Sequence, residues 1–144
     1  MKIDKSLLDE LTAEAKESPR LRMNLDLRDS DEDQSQRMLN ALEPGTVLPI
    51  HRHRDTSETV VMIRGRAIQY LYDEEGRLTD EVMLVAGAGA VGDEDVEVTV
   101  PAMTVEKGQW HRIESLESGT VIVEFKNGPY QPLSENDIWN PVSR

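Results

Sequence analysis

GTVLPIHRHRDTSETVVMIRG, residues 45–65, is the stretch that decides the fold. It places His51 and His53 two positions apart and Glu58 five positions later. Extended backbone sends residues i and i+2 to the same side, so the two imidazoles aim at one point. After a short turn over RDTS, a second strand begins at Glu58 and supplies a carboxylate oxygen from the neighbouring position. His111 arrives in GQWHRI, at the start of a later strand. An HxH pair alone is a weak signal, because a lone histidine is more often a surface or hydrogen-bonded residue. Here the chain has only 3 histidines, and all fall in the two segments a metal site needs. Three neutral imidazoles and one carboxylate make a nitrogen and oxygen donor set for one divalent ion such as Zn, Fe, Mn or Ni, and residue identity does not choose among them. Because histidine binds metal only when deprotonated, metal is expected to leave as pH falls below about 6.5.

Outward from this segment, residues 37–132 break into short β-rich runs: RMLNALEP, TVLPIH, TVVMIRG, AIQYLYD, EVMLVA, VEVTVP, HRIESL and TVIVEFK. Gly, Pro, Asp and Glu punctuate them, which predicts an all-β barrel or sandwich. Upstream, Leu7, Leu8, Leu11 and Ala15 recur at helical spacing and predict an amphipathic helix from about Lys5 to Lys16, capped by Ser6 and stopped by Pro19. Such a helix is more often a lid or dimer contact than a catalytic element. RDSDEDQSQ follows as a solvated loop, so residues 1–36 form an N-terminal segment and residues 133–144 a tail. GAGAVGDEDVE reads as a flexible loop. It lacks the strand and helix that frame a phosphate cradle, and its acidic DED repels phosphate.

A length of 144 residues fits one domain with a real core, and 38% apolar with 31% charged residues is a soluble globular balance. With no cysteine, disulfides and thiolate metal sites are excluded. A formal net charge of -12 argues against nucleic acid and anionic membrane surfaces as partners, while leaving room for a local basic pocket. No apolar run approaches the roughly 20 residues of a membrane span, and the amino terminus is too charged for a signal peptide, so a cytoplasmic protein is expected.

Strand parity assigns the remaining candidates. With His51 and His53 inward, Arg52 and Arg54 point outward to the surface or a dimer contact. Val121, Val123 and Phe125 share an apolar face; Glu124 and Lys126 share the other, which reads first as solvated, with Lys126 kept as a candidate substrate-binding residue. Asn40, polar within an apolar run, and Gln109, beside His111, are the other substrate-binding candidates, while Trp110 packs on the wall. Few aromatic residues favour a compact, oxygen-rich ligand such as a sugar derivative or small acid. With Glu58 used as a ligand, no general base can be nominated, which weakens an isomerase and leaves an Fe(II)-dependent dioxygenase standing. Small barrels leave strand edges, so a homodimer is expected.

The spacing glycine, five residues, HxH, four residues, Glu, six residues, glycine resembles the first motif of the cupins. EKGQWHRIES is similar to the second motif through Gly108 and His111, with Glu106 where proline is usual and Ser115 where asparagine is common. Over more of the chain, PRLRMNL, QRMLNALEPGT, HRHR, GQWHRI and EFKNGPYQP together resemble the WbuC family of cupin-fold metalloproteins. That resemblance implies a double-stranded β-helix (a jelly-roll barrel) with a short N-terminal helix, a bound metal, and a link to sugar or surface-polysaccharide (O-antigen) metabolism. It implies no settled reaction: a metal-dependent enzyme and a non-catalytic metal-dependent binding protein both fit. A regulatory cupin attached to DNA binding finds no basic stretch here.

Overall fold

Alternating side chains build two sheets whose inner faces meet. The first sheet joins β1 (Arg22–Asp26), β2 (Ser35–Leu42), β9 (Thr120–Asn127), β3 (Glu58–Arg64) and β7 (Ala102–Val105), in that order. The second joins β6 (Thr99–Val100), β5 (Leu78–Val85), β4 (Arg66–Tyr72) and β8 (Trp110–Ser115). Residues 1–88 and 99–139 are described in this computed structural model. The GAGAVGDEDVE segment therefore lies largely outside the described residues, as do the last positions of the tail. All pairings are antiparallel except β5 with β6.

Parity on β2 and β9 divides the molecule into two cores. One face of each strand carries Leu39, Ala41, Val121 and Val123, which pack beneath Leu8, Leu11 and Ala15 of the helix α1 (Lys5–Glu17). The opposite face carries Leu42 and Ile122, which with Val60 and Met62 meet Ala67, Leu84 and Ile113 of the second sheet. Each buried leucine on either face contributes about 1.5–3 kcal/mol. The helix thus packs as the outer cover of the five-stranded sheet, on the side away from the inter-sheet core. Its N-cap is Asp4, whose carboxylate accepts from the Leu7 amide at 3.1 Å, rather than Ser6.

Two strand expectations change. TVLPIH is not a strand of its own: Pro49 has no N–H to donate, and only His51 makes a bridge. In place of it an unexpected strand, β1, adds to the edge of the first sheet, with Asn24 opposite Asn40.

Between β3 and β4 a single residue, Gly65, carries the chain from one sheet to the other. Its φ of +86° suits glycine, and a Cβ there would meet Thr120 Oγ1 at 2.4 Å and Thr120 Cα at 2.8 Å. Gly65→Ala is expected to cost at least about 2 kcal/mol, through left-handed strain and the Thr120 clash. A thermal melt of the variant within a degree of the parent would contradict this.

Candidate metal centre

The four residues of the sequence pattern converge. One nitrogen or oxygen from each of His51, His53, Glu58 and His111 lies within 4.8 Å of all the others. Backbone pairing sets this up: His51 and His111 exchange N–H···O bonds of 3.0 and 2.9 Å, and the Gly108 amide donates to the His53 carbonyl at 2.7 Å. The ring centroids of His51 and His111 stand 4.3 Å apart, and those of His53 and His111 5.5 Å.

Hydrogen bonds fix the tautomers. His51 Nδ1 contacts the Pro49 carbonyl at 3.0 Å and His111 Nδ1 the Gln109 carbonyl at 2.8 Å. A carbonyl only accepts, so each Nδ1 holds the proton and each Nε2 presents a lone pair. His53 Nε2 and His111 Nε2 are buried without a hydrogen-bond partner among the described residues. The His53 nitrogen lies 2.8 Å from Glu58 Oε2, but not in hydrogen-bonding alignment. Buried, unpartnered ring nitrogens beside a carboxylate are costly alone, at about 1–3 kcal/mol each, and a cation satisfies them through the lone pair of a neutral imidazole. The donor set fits a divalent ion.

Charge follows the same logic. Burial opposes ionisation of Glu58, yet contacts with His111 and His53, and the Lys126 ammonium 3.8 Å away, hold its carboxyl well below the usual range. Burial, with His111 beside it, lowers His51 to about 4. The expected loss of metal below pH 6.5 is therefore shifted toward acid at this ligand, where protons compete only near pH 4.

A pocket of about 580 Å³ opens over the cluster. Asn40 and Lys126, two of the candidates from the sequence, line it. Gln109 does not: its amide donates to the carbonyls of Tyr72 and Trp110 at 2.8 and 3.0 Å, and its own carbonyl orients His111. The face of β9 read as solvated is the pocket wall, where Glu124 and Lys126 continue inward from Ile122. Gln36, Lys126 and Glu58 form one rung across three strands. Burial, then the charge of Glu58, pushes the Glu124 carboxyl up to about 8, and the Asn40 side chain hydrogen-bonds to it.

Arg54 is exposed, in keeping with the surface reading, while Arg52 is largely covered and reaches the pocket wall. Both donate to Asp137 Oδ1, and the Arg52 guanidinium lies 4.5 Å from the centroid of the Trp110 ring. Burial opposes charge on Asp137, but hydrogen bonds from Arg54, Ser134 and Arg52 keep it ionised. The Asp137 carbonyl accepts from the Arg52 amide at 3.0 Å, the Trp139 amide donates to the Ile50 carbonyl at 2.8 Å, and Ile138 bridges to His51. Trp139 also packs edge-on against Trp110, and a Cβ at Gly76 would meet its ring at 2.3 Å. This strap of residues 134–139 was not legible in the sequence as part of the site. An aspartate and a tryptophan within a polar tail were the available hints.

Paired sheets, a covering helix and this donor set define the class: a cupin-fold protein with a three-histidine, one-glutamate cluster able to hold a metal ion. The chain belongs to the family described as domain of unknown function DUF6016, whose pattern matches residues 3–84. No curated protein matches the sequence. Among solved structures, a mutant of Bacillus subtilis oxalate decarboxylase OxdC is similar over 81% of this chain and 27% of its own, at 20% identity and TM-score 0.56. A further structure of that enzyme is described by its Mn(II) centers. KdgF from Halomonas sp. is similar over 79% of this chain and 84% of its own, at 13% identity and TM-score 0.53. CapF with the inhibitor 3-isopropenyl-tropolone is similar over 76% of this chain and 28% of its own, at 18% identity and TM-score 0.54. The chain thus spans about a quarter of the length of the oxalate decarboxylase it matches.

Adding Zn(II) or Mn(II) to metal-free protein at 100 times its dissociation constant is expected to stabilise the fold by about 2.7 kcal/mol. His51→Ala and His111→Ala lose that stabilisation; a full metal-induced rise in melting temperature in either would contradict the ligand set. Asp137→Ala is expected to weaken metal binding about tenfold by freeing the loop that carries His53, read by competition with a chelator. Metal-free protein also loses the His51 contribution as pH falls from 6.5 toward 4, since the unfolded imidazole takes its proton near 6.5 and the folded one near 4. Melts of metal-free His51→Gln across that window should show a shallower fall than the parent.

Proposed function

We propose that this protein is a metal-dependent cupin, in the manner of the WbuC family it resembles, in which a divalent ion on His51, His53, Glu58 and His111 orients a small oxygen-rich ligand. The ligand class is a sugar derivative or small acid, with a place in sugar or surface-polysaccharide metabolism. The observation that carries this is the pair of buried, unpartnered imidazole nitrogens at the floor of a 580 Å³ pocket with polar walls. Once bound, the ion would supply a Lewis acid for a ligand hydroxyl, carbonyl or carboxylate oxygen.

The chain's own residues do the rest. Nδ1–H bonds to Pro49 and Gln109 hold two imidazoles in register. Lys126 balances the charge of Glu58 and faces a ligand oxygen from the same rung. Of the pocket carboxyls outside the donor set, Asp55 is exposed and Asp137 is held by Arg52 and Arg54, so Glu124 supplies the proton-transfer group that the sequence alone did not offer. That favours acid-base chemistry on the ligand over redox chemistry. No helix among the described residues is long and apolar enough to cross a membrane. A cytoplasmic homodimer, paired through an edge of the five-stranded sheet, completes the proposal; light scattering showing a stable monomer would remove the dimer.

Elemental analysis of protein purified without chelators is expected to find one divalent ion per chain. No metal, in a protein that also takes none on titration, would overturn the reading; near-stoichiometric iron with ligand-dependent oxygen uptake would replace acid-base chemistry with dioxygenase chemistry. Glu124→Gln is expected to keep metal content while lowering exchange of ligand C–H protons with deuterated solvent by about 10²-fold or more. In metal-free protein the raised Glu124 pKa makes stability fall as pH climbs from 4.5 to about 8, because the unfolded carboxyl ionises first. Glu124→Gln should flatten that fall, as measured by melts from pH 4 to 9.

A further inference from the structure

Cationic side chains in so acidic a chain are mostly spent. Arg28, Arg37, Arg64, Arg66 and Arg77 each pair with a carboxylate away from the pocket, and Arg52 and Arg54 share Asp137. Arg20 and Arg22 differ. Both line the pocket, and neither has a carboxylate within ion-pair distance among the described residues. Arg22 Nη1 donates only to neutral oxygens, Thr46 Oγ1 at 3.3 Å and the Val47 carbonyl at 3.1 Å. Burial, and then the like charge of Arg20, lower the Arg22 pKa. Arg22, half-buried, and Arg20, exposed at the mouth of the same pocket, are two like charges without a counter-charge, a pair that an oxyanion would relieve.

Their position sets the length of what binds. Arg22 stands on β1, opposite Leu42, at the edge of the sheet; Glu58 stands on β3. β2 and β9 lie between, three spacings of about 4.8 Å, and Arg22 also stands six positions along from the rung of Glu58, since it faces Leu42 on β2 where Glu58 aligns through Lys126 with Gln36. An ion as short as oxalate, seated at the histidine cluster, cannot also touch the arginines. Asn40 and Glu124 occupy the wall between, and offer hydrogen bonds suited to hydroxyl groups.

We propose that the pocket takes an elongated anionic ligand, of sugar-phosphate or sugar-acid type, whose oxyanion is gripped by Arg20 and Arg22 while its other end faces the His51, His53, Glu58 and His111 cluster. This deepens the metal-dependent reading and rests on it for the far end of the ligand only. Net charge does not oppose it, because the long-range field of -12 is screened within about 10 Å while the guanidiniums act in contact.

The test is calorimetric titration of the full-length protein with glucose 6-phosphate, glucuronate and neutral glucose, repeated in Arg20→Ala, Arg22→Ala and the charge-keeping Arg22→Lys. One or both anions are expected to bind at least tenfold tighter than glucose, to lose at least tenfold in each alanine variant, and to recover partly in Arg22→Lys. Preference between glucose 6-phosphate and glucuronate tells phosphate from carboxylate. Equal binding of glucose and both anions, or anion binding unchanged in the alanine variants, overturns the proposal. Inorganic phosphate titrated into metal-free protein separates the two readings. Phosphate binding lost on Arg22→Ala supports the arginine site even if the protein takes no metal, and metal uptake with no anion binding at all sinks the arginine site alone. Melting temperatures and metal content of the variants near those of the parent establish that the loss is local.

Discussion

Three imidazoles and a carboxylate buried at one point are an electrostatic obligation, and much of the architecture exists to meet it. Left to itself, such a cluster exposes unpartnered lone pairs to a medium that cannot solvate them. The fold answers with fixed tautomers, an ammonium beside Glu58, and a backbone bridge that locks His51 to His111. The outer sheet face, covered by α1, carries one hydrophobic core and one end of the inner face carries the other, which leaves the rest of that inner face free to become polar. β9 shows the division in one strand. Val121 and Val123 look toward the helix, Ile122 seals the inter-sheet core, and Glu124 and Lys126 open into the pocket.

The ligand residues were legible because their pattern is local. Two positions apart in extended chain means one side, and a glycine with no room for a Cβ marks the passage into the second sheet. β3 and β9 are rich in β-branched residues and β4 and β8 carry aromatic and apolar residues between polar ones, as expected of strands, and all four form. Glu124 was misjudged because alternation says that a strand has two faces, not which of them meets solvent; a wet cavity wall and an outer surface have the same composition. β1 was missed because RMNLD is short and half polar, and its pairing with β2 is a tertiary fact. Parity set Arg52 and Arg54 apart from the metal ligands, but it could not show that a distant aspartate holds both of them.

Relatives at 13–20% identity share the arrangement of sheets and not a reaction. What separates one such protein from another is the wall above the donor set. Here that wall holds the raised carboxyl of Glu124, a lysine and two arginines without acidic partners, a set that speaks to a ligand with both hydroxyl and anionic groups.

The strap of residues 134–139 joins the loop of His51 from more than eighty positions away. Contacts of such separation close large loops, at an entropic cost that the folded site must offset. The donor set draws on both sheets and the returning chain together, and an interaction that exists only once all of them have met acts chiefly on the rate of unfolding. A bound ion would then work as a brake on opening rather than as a nucleus, giving the protein persistence in time beyond its margin at equilibrium.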